Sequence, residues 1–420
     1  MHHEFLELGV RDVWSKQYPF GLDAVERARH LYLVGQTGTG KSTLIANLIR
    51  QDIERGAGAT LIDPHGDLAE TIYDFVPSHR IDDVVILDPT DHAHVPAFNP
   101  FYRVPLDDRP RVASNLVATF KHVWPDSWGP RLEHILRNAV RLVLDAPDAA
   151  RPTFIAVARV LVDQAFRTRL LTHCSDRQVA QFWQDEFGTW NSRLRGEALA
   201  PVQNKLGAVL ASPFVRNILG QWKPTINLDQ IIAEQRVLLV RVPKGSLGEE
   251  QANLLGSMVV SGLMHAAMAP REKRVPHHLF IDEFQSFTSE SFATIMSEAR
   301  KFNLTLVIAH QFTDQVSPII RASVFGNAGT IISFRVGAAD AERLAHECGE
   351  IPAARFCDLK RGQVVVKLMG EGGMPNTFVA RTEPSLSGVG TSGRVVAKSR
   401  RAHTEPRDVV ERRLGRWLQH

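Results

Sequence analysis

The nine residues Gly35-Gln36-Thr37-Gly38-Thr39-Gly40-Lys41-Ser42-Thr43 constrain this chain more than any other stretch. They fit the pattern G-x-x-x-x-G-K-[ST], and their surroundings fit it as well. The apolar run His30 to Val34 comes before them and reads as a buried strand. Thr43 to Ile49 comes after and reads as a helix with one apolar face. A glycine loop between strand and helix lets backbone N–H groups turn inward, at a helix N-terminus that already favours negative charge. Gly35, Thr37, Gly38, Thr39, Gly40, Lys41, Ser42 and Thr43 are therefore expected to cradle nucleotide phosphates. Lys41 would reach the β/γ-phosphates, and the Ser42 hydroxyl would hold Mg²⁺.

Helices and short apolar strands alternate around this loop. Ala59 to Asp63 reads as a second strand, ending in the turn Asp63-Pro64-His65-Gly66-Asp67. Asp83 to Asp88 reads as a third. Strand signals return at Arg236 to Val242, His278 to Glu283, Leu304 to Ala309 and Thr330 to Arg335. The runs Gln363 to Leu368 and Thr377 to Arg381 read as an edge hairpin. The pattern implies an α/β fold with a parallel sheet covered on both faces. Tyr18 to Asp23 has the chemistry of a turn, expected beside the nucleotide.

Between Pro105 and Gln230 the periodicity is helical. Val112, Leu116, Val117 and Phe120 share one face, and Leu132, Ile135, Leu136, Ala139, Val140 and Val143 share another. The aromatics Trp183 and Phe187 read as core. We therefore expect a nucleotide-binding domain in two parts, residues 1–104 and 231–382. An all-α domain would be inserted at 105–230, with a linker and a basic C-terminal helix over 383–420.

A phosphate loop alone predicts binding. Hydrolysis also needs a carboxylate for the metal shell and a group that activates water. Asp282 and Glu283 end an apolar strand, where parallel sheets place ligands. Asp282 would hold Mg²⁺ and Glu283 would polarise the attacking water. Gln311, after the next strand, could bond the γ-phosphate or the water. Arg300, on an expected helix from Glu290 to Phe302, is a candidate arginine finger for a neighbouring subunit.

Charge and cysteine content narrow the class. The net charge is +3, but residues 381–420 hold nine Lys/Arg against four Asp/Glu, so the positive bias sits in the tail. Cys174, Cys348 and Cys357 form no metal or redox spacing, which fits reduced thiols. The paired histidines, such as His277-His278, lack ligand partners at metal-site spacing. No signal peptide or membrane span is legible. The most apolar stretch, Ala252 to Pro270, carries Asn253, His265, two serines and two glycines and reads as a buried helix.

Taken together, these residues resemble the HerA/FtsK superfamily of ring-forming ATPases, and within it the TraD/TraG-like coupling proteins of type IV secretion. The resemblance rests on the phosphate loop, Leu61 to Asp67, Val85 to Pro89 and Phe98-Asn99-Pro100. Phe280 to Glu283, Arg300-Lys301-Phe302 and Ala309-His310-Gln311 complete it. It implies a RecA-like phosphate-loop NTPase sheet and ATP with Mg²⁺ as ligands. It implies a homo-hexamer with ATP between subunits and a channel that moves single- or double-stranded DNA. Arg300 would act in trans, and Gln311 would occupy the sensing position. Arg335 is a further phosphate-contact candidate. A relaxase complex or membrane secretion components are the implied partners. Coupling proteins usually begin with membrane-spanning helices, which this chain lacks. The expectation is a cytoplasmic variant recruited to the inner face of the membrane, or another task on the same motor. Two alternatives stand beside conjugative DNA transfer: a HerA-like DNA-processing or defence ATPase, and a secretion or assembly ATPase that moves no DNA.

Overall fold

The computed structural model describes residues 5–289, 292–349, 351–369, 375–385 and 387–419. Its strands, in chain order, are β1 (Leu6–Val13), β2 (Lys16–Leu22), β3 (Leu31–Val34), β4 (Gly58–Asp63), β5 (Val84–Leu87) and β6 (His94–Pro96). Then come β7 (Val237–Arg241), β8 (His277–Ile281), β9 (Leu304–His310), β10 (Thr330–Ser333), β11 (Gln363–Met369), β12 (Pro375–Thr382) and β13 (Thr404–Pro406). Eleven of them form one sheet in the order β2-β1-β12-β11-β10-β3-β9-β8-β4-β7-β5. From β10 to β7 every neighbouring pair is parallel. From β10 outward through β11, β12, β1 and β2 every pair is antiparallel.

The α/β sheet expected from the sequence is present, with two corrections. The hairpin β11–β12 is interior, because β1 pairs with β12 and β2 with β1. Residues 18–22 belong to strand β2, at one edge of the sheet and five strands from β3, and are not a turn beside the nucleotide. Pro19 and Gly21 made this segment read as a turn. An edge strand tolerates Pro because one row of its backbone groups has no ladder partner.

The sheet's packing follows from strand alternation. Leu31 and Leu33 of β3, Val307 and Ala309 of β9, Leu61 of β4 and Phe280 of β8 point to one face. They pack with Leu44, Ile45, Leu48, Ile49 and Ile53 of the helix Lys41–Glu54. That helix therefore buries its apolar side while its N-terminus stays at the C-terminal edge of the strands.

The chain folds into two compact units. One comprises Met1–Ile86, Leu228–Arg241 and Ala266–Ser399, and holds the large sheet. The other comprises Leu87–Asn227, Val242–His265 and Arg400–His420. This second unit takes in more than the expected insertion at 105–230. Strand β13 pairs with β6, and Thr225 Oγ1 donates to the His403 carbonyl at 2.6 Å. These pairings bind the chain's end to residues near 95, a connection that helical periodicity cannot reveal. The expected linker also holds a helix, Ser392–His403. Within the second unit Asn99 donates to the carbonyls of Pro152 and Trp222, and its side chain accepts from Phe101 N–H.

The basic tail spends much of its charge internally. Lys398, Arg400, Arg407, Arg412 and Arg413 pair with Asp82, Asp91, Glu411, Asp408 and Glu405 at 2.7–3.0 Å. No helix among the described residues is long and apolar enough to cross a membrane.

Candidate functional site

The phosphate loop runs from the end of β3 into the helix Lys41–Glu54. Gly40 is that helix's N-cap at φ 123°, and no side chain caps the first turn. The uncapped N–H groups there suit an anion. A Cβ at Gly35 would stand 2.5 Å from Phe334 Cβ, so only glycine fits at the start of the loop. Gly38, at φ +77°, has open space around it and is required for its backbone conformation. Gly35 N–H donates to the His310 carbonyl at 3.3 Å, and Gln36 N–H to the Arg335 carbonyl at 2.9 Å. The ends of β9 and β10 thus hold the loop's first residues.

Lys41 is buried and donates to the Gly35 and Gln36 carbonyls at 2.5 and 3.3 Å. Burial lowers its pKa, while Asp282 and Glu283 pull it back up. Ser42 is exposed at the helix start, and Thr37 and Gly38 are exposed on the loop, whereas Thr39 is buried. Thr39 Oγ1 donates back to the Gln36 carbonyl at 2.7 Å, which folds the loop on itself.

Strand β9 lies between β3 and β8, so the ends of three adjacent strands converge. Asp282 and Glu283 follow β8, and both are buried. Burial, reinforced by Glu283 and Asp63, raises Asp282 to about 6. A group that gathers this much negative potential suits a bound cation. Glu283 adopts a left-handed backbone, φ 48° and ψ 52°, which is costly for a non-glycine residue and is concentrated at functional sites. Its carboxylate accepts from Gln311 Nε2 at 3.0 Å on one oxygen and from Gln285 Nε2 at 2.7 Å on the other.

The structure therefore brings together Lys41, Asp282, Glu283 and Gln311. It does not bring Arg300 to this set. Arg300 is exposed on a short 3-10 turn, Ala299–Phe302, just before β9 begins. The first two residues of the helix expected over 290–302 lie outside the described residues, and the rest form the helix Phe292–Glu298 and this turn. Gln311 follows the other end of β9. At about 3.3 Å per residue, the strand puts Arg300 on the order of 20 Å from its own chain's loop. Arg335 is exposed beside the loop, and its Nε donates to Gln36 Oε1 at 3.2 Å.

The sequence reading assigned no supporting role to the residues around this set. Gln285, two positions after Glu283, gave no signal because a turn glutamine is common. Asp63 holds the turn after β4 by accepting from His65 N–H and Ala69 N–H, both at 2.9 Å. His310 is fully buried, and its Nε2 contacts Tyr32 Oη at 2.5 Å. Burial lowers it to about 3, so it is neutral scaffolding under Gln311. His277 likewise shares a 2.9 Å hydrogen bond with Thr60 Oγ1 inside the sheet.

Comparisons with known proteins bear on the fold that carries these residues. A sequence profile described as the central domain of helicase HerA matches residues 13–106, the span that carries the phosphate loop and β4. The conjugative coupling protein TrwB, as the fragment TrwBdeltaN70, superposes with a TM-score of 0.65 at 16% identity, covering 89% of this chain and 88% of that one. The chain has the coupling-protein fold. TrwB in complex with ADP and Mg²⁺ gives 0.64 at 16% identity, with 88% of each chain covered. VirB4 of Thermoanaerobacter pseudethanolicus gives 0.59 at 14% identity, covering 90% of this chain and 96% of that one. A comparison with curated protein sequences gives no match.

Proposed function

We propose that this chain is an ATP-hydrolysing motor of the HerA/FtsK superfamily that, as a homo-hexameric ring, moves DNA in type IV secretion. One observation carries the reading. In a coupling-protein fold, Glu283 is clamped by Gln311 next to the metal-type carboxylate Asp282 and the buried loop Lys41.

The residues fit ATP and Mg²⁺. The uncapped N–H groups after Gly40 receive phosphate oxygens, and Lys41 exchanges its carbonyl partners for the β/γ-phosphates. Ser42 and Asp282 would hold Mg²⁺, and when bound it would supply positive charge to offset that of the phosphates. Glu283 orients the attacking water and accepts its proton. Gln311 already bonds Glu283, so a turn of its amide toward the γ-phosphate would release the carboxylate for this work. Arg300, remote in its own chain, serves a neighbouring subunit.

ATP turnover with and without single- and double-stranded DNA tests this, with Glu283→Gln as the blank. Stimulation by DNA that weakens as salt rises is expected. Robust turnover indifferent to DNA would replace the DNA motor with a secretion or assembly ATPase. The match to the HerA profile favours a second reading, a DNA-processing or defence motor. Neighbouring genes separate the two: a relaxase and secretion components support transfer, and a nuclease supports processing.

A further inference from the structure

The site's charge is asymmetric. Asp282, Glu283 and Asp63 stand on the β8 and β4 side of the phosphate loop. On the β10 and β11 side stand three exposed cations, Arg335, Lys360 and Arg361. Lys360 and Arg361 belong to the turn that enters β11. That turn is fastened to the loop itself, because Gly362 N–H donates to the Thr39 carbonyl at 3.0 Å. It is also closed on itself. Gln363 N–H donates to the Lys360 carbonyl at 2.9 Å, and Gln363 Oε1 accepts from Lys360 N–H at 3.0 Å. Thr382 N–H holds the Gly362 carbonyl from β12 at 2.9 Å. Gly362 sits at φ +77°, and an added Cβ there would meet nothing nearer than 3.8 Å, so glycine is there for the left-handed turn and not for room.

The side chains of Lys360 and Arg361 make no ion pair or hydrogen bond among the described residues. The cations of the chain's basic tail, by contrast, are mostly paired. Two cations unpaired among the described residues, on a turn hydrogen-bonded to the phosphate-loop backbone, are preorganised for an anion. We propose that Lys360 and Arg361 grip phosphate oxygens of the bound nucleoside triphosphate, from the side opposite the carboxylates, so that this turn is part of the nucleotide site. The inference rests on the loop being an ATP site.

Equilibrium binding of ATP and of ADP tests it, with the full chain carrying Glu283→Gln to block turnover. Lys41→Ala, Arg361→Ala, Arg361→Lys and the pair Lys360→Ala/Arg361→Ala are compared. Charge-assisted contacts of this kind predict that the pair weakens ATP by about tenfold or more. Arg361→Lys should keep most of the affinity. The loss should shrink as salt rises. Equal losses for ATP and ADP would assign the contact to the α/β-phosphates, and a loss for ATP alone to the γ-phosphate; both support the inference. Both residues are exposed, so the variants should unfold at the parent's temperature. If Lys41→Ala abolishes binding while the paired variant stays within twofold of the parent, the turn is not part of the site. If the parent binds neither nucleotide, the ATP reading fails, and this inference with it.

Discussion

At the residue scale, binding and chemistry separate cleanly. Lys41 is buried on the loop, and Glu283, beside it at β8's end, is held by two amides. Lys41→Ala should therefore lose ATP affinity, read by direct binding. Glu283→Gln should bind ATP normally and lose about 10²–10⁴-fold in turnover, the usual worth of a general base. Full turnover in Glu283→Gln would remove its role. Gln285→Ala should leave binding intact and lower turnover less than Glu283→Gln does, because Gln311 still anchors one carboxylate oxygen.

At the element scale, the strand ends carry the site, and buried histidines sit among the strands that support it. Burial lowers His30 to about 4, His277 and His310 to about 3, and His278 well below its ordinary value. A histidine held neutral in the fold but free to protonate when unfolded gives stability that is complete above about pH 6.5. It is lost as pH falls toward about 3 to 4. Asp52 and Asp282, both raised to about 6, work in the opposite direction below that pH, but four histidines oppose two acids. The unfolding midpoint should fall from pH 7 to 4, and His310→Gln should flatten the slope. A midpoint that rises over that range would contradict the burial argument. The turn after β4 makes a second prediction. Gly66 sits at φ 95°, and an added Cβ would lie 2.8 Å from Arg241 Nε. Gly66→Ala should cost about 1–3 kcal/mol in denaturant titration.

At the scale of the whole molecule, the proposed finger would act between chains. Arg300 is exposed at the N-terminal end of β9, while the loop meets the opposite end. Arg300→Ala should leave ATP binding intact and lower assembled turnover by about 10³-fold or more. Mixing it with Lys41→Ala should restore part of the activity, because some interfaces then pair an intact loop with an intact arginine. Mixtures as inactive as either variant alone would rule out action in trans.

The sequence by itself determined the α/β class, the phosphate loop and the acids at the end of β8, because each is a local pattern. A short continuous apolar run marks a strand buried on both faces, glycines mark a loop of unusual backbone, and polar residues after an apolar run mark a strand end. Tertiary structure decided the rest. Whether Gln311 meets Glu283 depends on β9 lying between β3 and β8, an order no local pattern states. The same holds for β1 and β2 extending the sheet past β12, and for β13 pairing with β6. The last two pairings join residues about three hundred or more positions apart. Their hydrogen bonds are set by which backbone edges remain unpaired once the local elements have formed.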